Sequence, residues 1–168
     1  MIRYRRLYES ENSGIKLYDT VRCAGYDWYV IGIEDDVVTL LLKYCDLSDC
    51  KFDPASNDYK TSEIRKHLRY KVLPELQSAN PIPTRLNDVG CTDKVWLLSV
   101  DEAKKLPQEI RNFDDWWWWL RSPGWSDRNG SECNAANVHG DVVDTFGSNV
   151  NYRNFVRPVM KVRTEDLN

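Results

Sequence analysis

Apolar positions change their spacing several times along the chain, and each change predicts an element. Val21, Cys23, Tyr26, Trp28, Val30, Ile31 and Ile33 form the first branch of a long β-hairpin; Glu34-Asp35-Asp36 supplies the turn, and Val37 to Leu42 returns. The return branch is almost continuously apolar, which predicts a strand buried on both faces. Residues 46–60 are polar, contain Pro54, and predict a loop. Ile64, Leu68, Val72 and Leu76 then recur every fourth residue, as one buried helical stripe does. Thr61 or Ser62 is the expected N-cap, Glu63 suits the first turn, and Pro74 is expected to end the regular helix. Asn80-Pro-Ile-Pro predicts an extended connector. Lys94 to Leu98 predicts a short strand. Ser99-Val-Asp-Glu102 is a capping box opening a second helix that Pro107 stops. Trp116 to Leu120 and Phe155 to Val162 are expected to complete the strands, and residues 1–14 are expected to be an arm or an early strand that ends at Ser13-Gly14. This order describes an α+β fold of small antiparallel sheets with two short helices and a loop-rich C-terminal half.

Between the last two strands the texture breaks. Residues 125–154 hold six asparagines and no Leu, Ile, Met, Lys or Pro. Ala135, Ala136, Val138, Val142 and Val150 are too few and too small to build much core, so the segment is expected to be a polar, loop-rich surface clamped between aromatic strands. Solvated turn chemistry would use the same Asn and Gly residues. Trp125, Phe146, Tyr152, Arg128, Arg153 and His139 among the asparagines tilt the reading toward binding, because stiff aromatics and forked arginines carry recognition energy. The run Trp116 to Trp119 should alternate, two side chains inward and two outward. Arg121 and Arg157 are expected to be buried structural arginines, held by backbone carbonyls or by Asp114 or Asp115.

Composition narrows the function classes. Hydrophobic residues make up 42% of the 168, enough for a core, so one domain over 15–168 is expected. A net charge of −3 argues against nucleic acid as a partner. The basic run Arg3-Tyr4-Arg5-Arg6 lies beside Glu9 and Glu11 and fits a solvated arm. The five cysteines (Cys23, Cys45, Cys50, Cys91, Cys133) are odd in number and lack C-x-x-C spacing; reduced thiols are expected, although Cys45 and Cys50 are close enough to pair in an oxidising compartment. With neither an apolar leader nor an apolar run of about 18 residues, the expectation is a soluble protein without membrane insertion, cytoplasmic or phage-associated.

A family resemblance rests on several motifs together. Trp118-Trp119-Leu120-Arg121-Ser122-Pro123-Gly124, Ala135-Ala136-Asn137-Val138, Gly140-Asp141-Val142 and Val156-Arg157-Pro158 resemble the C-terminal signature of a bacterial and phage family with a C-type-lectin-like domain, related to the formylglycine-generating-enzyme fold. Upstream, Tyr18-Asp19-Thr20-Val21, Gly25-Tyr26-Asp27-Trp28, Ser62 to Leu68 and Asp93 to Ser99 extend the likeness to residues 15–162. In some members the last segment is the variable region of a diversity-generating retroelement, in which asparagine codons are altered at adenines. What the resemblance implies is a non-catalytic, receptor-like domain whose ligand-facing residues are Trp125, Ser126, Asp127, Arg128, Ser131, Cys133, Asn137, His139, Asp144, Phe146, Asn149, Tyr152 and Arg153. Trp125 and Glu132 depart from the pattern, since adenine changes in an asparagine codon yield neither. The implied partner is a protein or a surface glycan.

Three rival functions are weighed beside it. A calcium-assisted lectin would draw oxygens from Asp141, Asp144, Asn149 and Asn151, but the chain has neither Glu-Pro-Asn nor Gln-Pro-Asp, and no cofactor is expected. A formylglycine-type enzyme would need a cysteine pair in the C-terminal part, where only Cys133 stands. A structural phage or surface protein would leave the polar face merely solvated.

Overall fold

The computed structural model describes residues 14–44 and 49–168. The expected arm before Gly14, its basic run, and Cys45 with its pairing to Cys50 lie outside the described residues.

The hairpin turns where its pattern predicts, but its expected first branch is two strands that fold back on each other at Ala24-Gly25. Strand β1 (Thr20–Cys23) pairs with β2 (Tyr26–Glu34), β2 pairs with β3 (Val37–Leu42), and the chain turns at Asp35, whose φ is 55°. The far C-terminal strand, β11 (Val159–Arg163), lies antiparallel on the other edge of β3 and completes the order β1-β2-β3-β11. With neighbours on both sides, β3 buries Val38, Leu40, Leu41 and Leu42. A single apolar cluster runs from Cys23 to Val162, with Trp28, Trp118, Trp119, Tyr59 and Phe52 among its largest members.

Helical segments depart from expectation in instructive ways. Ser62 is the N-cap, its hydroxyl oxygen accepting from the Arg65 N–H at 3.2 Å. Helix α1 (Glu63–His67) does not stop ahead of Pro74; it widens into a π turn (Leu68–Val72) and continues as α2 (Leu73–Leu76). Proline has no N–H to donate and crowds the carbonyl four residues back, so the ladder shifts, with Leu73 N–H donating to Leu68 O. Asn80 ends the rod in the left-handed region just before Pro81. The capping box of α3 (Val100–Lys104) forms with both bonds, Glu102 N–H to Ser99 Oγ at 3.2 Å and Ser99 N–H to Glu102 Oε1 at 2.9 Å. Pro107 ends that stretch but also opens a further helix, α4 (Gln108–Arg111), so the expected pair of helices is an undercount.

The expected strand at 94–98 is also corrected. The paired strands there are β5 (Thr84–Leu86) and β6 (Cys91–Asp93), whereas Trp96 makes only a bridge to Val159 and Leu98 gives its carbonyl to the Arg121 N–H. Val95 to Leu98 are apolar because they are enclosed, not because they form a ladder.

The largest correction concerns residues 125–154. Instead of loops, they continue β7 (Trp117–Ser126) into β8 (Cys133–His139) and β9 (Val142–Asn149), an antiparallel meander ordered β7-β8-β9. A short pair, β4 (Cys50–Lys51) with β10 (Arg153–Asn154), ties this region to the rest. Ala135, Ala136, Val138 and Val150 are core after all. Their smallness is what the packing requires. Gly147 has a φ of +81°, and a Cβ there would lie 2.0 Å from Ala135 O; one on Gly124 would lie 2.4 Å from Phe146 O. Three strands approach too closely there for larger residues.

Candidate ligand-binding surface

The tryptophan run divides two inward and two outward, but in consecutive pairs. Trp118 and Trp119 are both buried, while Trp116 and Trp117 are about half exposed. Strict alternation fails because β7 is covered on both faces at this point. Trp119 meets Phe52 edge-on at 5.6 Å and donates its indole N–H to Cys50 O at 2.8 Å. Trp118 donates to Arg111 O at 3.0 Å and carries the Arg157 guanidinium 4.8 Å above its ring. Arg157 also donates to Leu42 O and Ile110 O, a structural role as expected. Arg121 is structural too, but its carboxylate partners are Asp88 and Glu102 rather than Asp114 or Asp115, and Leu97 O accepts from it at 2.9 Å.

On the outer side of the meander the exposed rings stand in pairs. Trp117 stacks on His139 with centroids 4.6 Å apart. His139 Nε2 lies 3.1 Å from Asp144 Oδ2. The other oxygen of Asp144 accepts from the N–H groups of Phe146, at 2.9 Å, and Gly147, at 3.0 Å. Phe146 in turn stacks on Trp125 at 5.5 Å with planes only 11° apart. Trp117, His139, Asp144, Phe146 and Trp125 therefore form one unbroken chain of contacts spanning all three strands. Burial alone would raise the Asp144 pKa; bonds from the Gly147 and Phe146 amides and from His139 outweigh it and leave the carboxyl below its ordinary value. Phe146 and Tyr152 are 58% and 64% exposed, so much of each ring, including the side of Phe146 away from Trp125, is open to solvent.

The loop from Asp127 to Glu132 closes the β7–β8 hairpin, with Asp127 N–H donating to Glu132 O. Asp127 also accepts from the Ser131 hydroxyl, which lowers its pKa together with backbone donors in the same loop. Asp127 and Ser131 therefore shape the loop, and Arg128 projects from it, exposed.

The thirteen residues proposed for ligand contact thus separate. Trp125, Ser126, Arg128, Ser131, Phe146, Tyr152 and Arg153 are exposed, and Asp127, His139, Asp144 and Asn149 are half-buried. Cys133 and Asn137 are corrected: both face inward. They lie on the middle strand, where Cys133 Sγ donates to Ala55 O and the Asn137 amide donates to Ser148 Oγ. The chain from Phe52 to Asp58 covers this strand, held by Asn57 Nδ2 on Asn134 O and Asn151 Nδ2 on Pro54 O. Burial, reinforced by the charge of Asp53, pushes the Cys133 thiol pKa up, away from nucleophilic reactivity. Trp117, absent from those thirteen, joins the same strip, and its position beside His139 follows from register.

The four side chains considered for calcium are each engaged in other hydrogen bonds, Asn151 Nδ2 on Pro54 O among them. Asp141 accepts from Gln108 Nε2, Asp144 is engaged as described, and Asn149 Oδ1 accepts from the Asn151 N–H. Among the described residues no group of three or more His, Cys, Asp or Glu could hold a metal ion. No helix among them is long and apolar enough to cross a membrane. Compared with family models, curated proteins and solved structures, the chain matches none.

Proposed function

We propose that this chain is a non-catalytic binding domain, and that the strip Trp117–His139–Asp144–Phe146–Trp125, together with the exposed Tyr152 and Arg153, receives a protein or a surface glycan. The observation that carries this reading is the pairing of exposed rings into two stacks tied together through Asp144. Such rings are pre-oriented at little entropic cost, as recognition surfaces require. Phe146, Trp125 and Tyr152 support no core, so their exposure needs another account, and a contiguous exposed apolar strip marks an interaction surface. The C-type-lectin-like fold belongs to this proposal, resting on the motif resemblance and on the arrangement of small antiparallel sheets with few short helices. So does the assignment as the variable protein of a diversity-generating retroelement.

Two experiments test it. Glycan and cell-surface protein arrays probed with the wild-type chain and with Phe146→Ala should show a bound feature that the variant loses about tenfold or more, as removal of an aromatic anchor does. Equal retention by both would reject the strip as the site. For the retroelement, the codons for 125–154 should have a nearby near-copy differing at adenines, beside a reverse-transcriptase gene. Differences spread over all four bases would reject that origin and leave the binding reading standing.

A further inference from the structure

A second concavity, separate from the aromatic strip, opens where the four-stranded sheet meets α3 and the start of the Ser122–Pro123 bend. Its volume is about 680 Å³, within the usual range for small-molecule sites. Its position follows from local structure. Thr39 and Lys161 are cross-strand partners on β3 and β11, and Ile82 N–H donates to Lys161 O, which brings the β5 strand with Thr84 and Arg85 alongside. Across the gap, the capping box fixes the start of α3 and so the position of Glu102, and Val100 N–H donates to Ser122 Oγ.

The floor is apolar and rigid. Trp96 and Leu98 line it, each only 2% exposed, and Arg121 lies beside them, locked by Asp88, Glu102 and Leu97 O. That locked guanidinium with its two carboxylates carries a net charge of −1 as a unit. What remains around the rim is Arg85, Lys105 and Lys161, none of which enters an ion pair among the described residues, against the single carboxylate of Asp101. With that unit counted, the lining holds four cations against three carboxylates, a net positive cleft in a chain of net charge −3, and its three cations outside ion pairs are the ones open to a ligand. Walls of low dielectric strengthen such a field inside a cleft.

We propose that this cleft binds a small organic anion, a carboxylate or phosphate ester with an apolar body, its charged head between Arg85, Lys105 and Lys161 and its body over Trp96. The site stands independently of the surface proposed above, because the strip and the cleft share none of the residues named for either. A ligand here would brace the β5–β6 hairpin against α3, since its head group would draw on cations from β5, β11 and the residue after α3 at once.

Phenyl phosphate is the probe, titrated into the ¹⁵N-labelled chain and followed by backbone amide shifts. Saturable shifts at Arg85, Asn87 and Ser122 are expected, with a Kd of about 1 mM, ordinary for so small a ligand. Inorganic phosphate should bind about tenfold more weakly for want of a body, and benzylamine should not bind. Arg85→Ala combined with Lys161→Ala should weaken binding about tenfold, the loss of charge-assisted hydrogen bonds. Lys105→Ala, on an exposed side chain, should act the same way if the double variant fails to fold, and Phe146→Ala, in the separate strip, should leave the phenyl phosphate affinity as it is. Shifts that never saturate, benzylamine binding as well as phenyl phosphate, or undiminished affinity in folded cation variants would each overturn the proposal.

Discussion

The sheets β1-β2-β3-β11 and β7-β8-β9 both enclose a middle strand, and they do so with opposite chemistry. Strand β3 fills its surroundings with Val38, Leu40, Leu41 and Leu42. Strand β8 fills its own with Cys133, Asn134, Ala135, Ala136, Asn137 and Val138, four small apolar residues and two amides. The first sheet is held by apolar volume. The second is held by close backbone approach at Gly124 and Gly147 and by buried side-chain bonds such as Asn134 Nδ2 to Phe146 O. A segment poor in large aliphatics can therefore be fully folded, provided glycine and alanine let the backbones meet and buried amides such as those of Asn134 and Asn137 bond across strands, although Asn137 Oδ1 and Asn154 Nδ2 have no partner among the described residues.

The largest effect that should separate the two sheets is Gly147→Ala. A methyl 2.0 Å from Ala135 O on a left-handed backbone cannot be absorbed, and a loss of about 4 kcal/mol is expected in urea unfolding. Gly130→Ala, also at positive φ but with open space around it, should cost only about 1 kcal/mol. Equal costs would show that backbone strain, not close packing, governs the second sheet. Leu40→Ala should cost about 3 kcal/mol as an ordinary cavity in the first sheet. Trp125→Ala should cost about 1 kcal/mol, the worth of its stack on Phe146, while removing much of the ligand affinity; a cost near that of Leu40→Ala would assign Trp125 to the core. The smallest effect is with pH. Because the folded pKa of Asp144 is depressed, its contribution is complete above the ordinary carboxylate range and is lost as pH falls through the folded value. Thermal melting between pH 7 and about pH 3 should thus decline less steeply in Asp144→Asn than in the wild type.

The same contrast explains what was legible in the sequence. Strand β3, the Ser62 cap and the Ser99–Glu102 box were legible because their signals are local: a run of aliphatics, a hydroxyl before a stripe, a Ser and a Glu three apart. Pro74 misled because the compensating π turn depends on where the helix must pack, which spacing does not encode. Residues 125–154 misled for a related reason. Hydrophobicity measures the volume a strand can bury, whereas β8 needs little volume and much proximity. The inward turn of Cys133 and Asn137 could have been suspected from Ala135-Ala136 beside them, since alanine pairs are uncommon in solvated loops and common where strands are pressed together. Exposure of Phe146, Tyr152 and Trp125 was legible because nothing apolar flanks them. The alliance of Trp117 with His139 was not, since it joins residues more than twenty positions apart through strand register.

Hydroxyl-radical footprinting of the native chain, read by mass spectrometry at single residues, tests the central claim most directly. The account predicts that Trp117, Trp125, Phe146 and Tyr152 are oxidised rapidly while Cys133, Trp118 and Trp119 are protected, despite the higher intrinsic reactivity of the thiol. Oxidation of Cys133 as fast as that of Tyr152, or protection of Phe146 and Trp125, would contradict it.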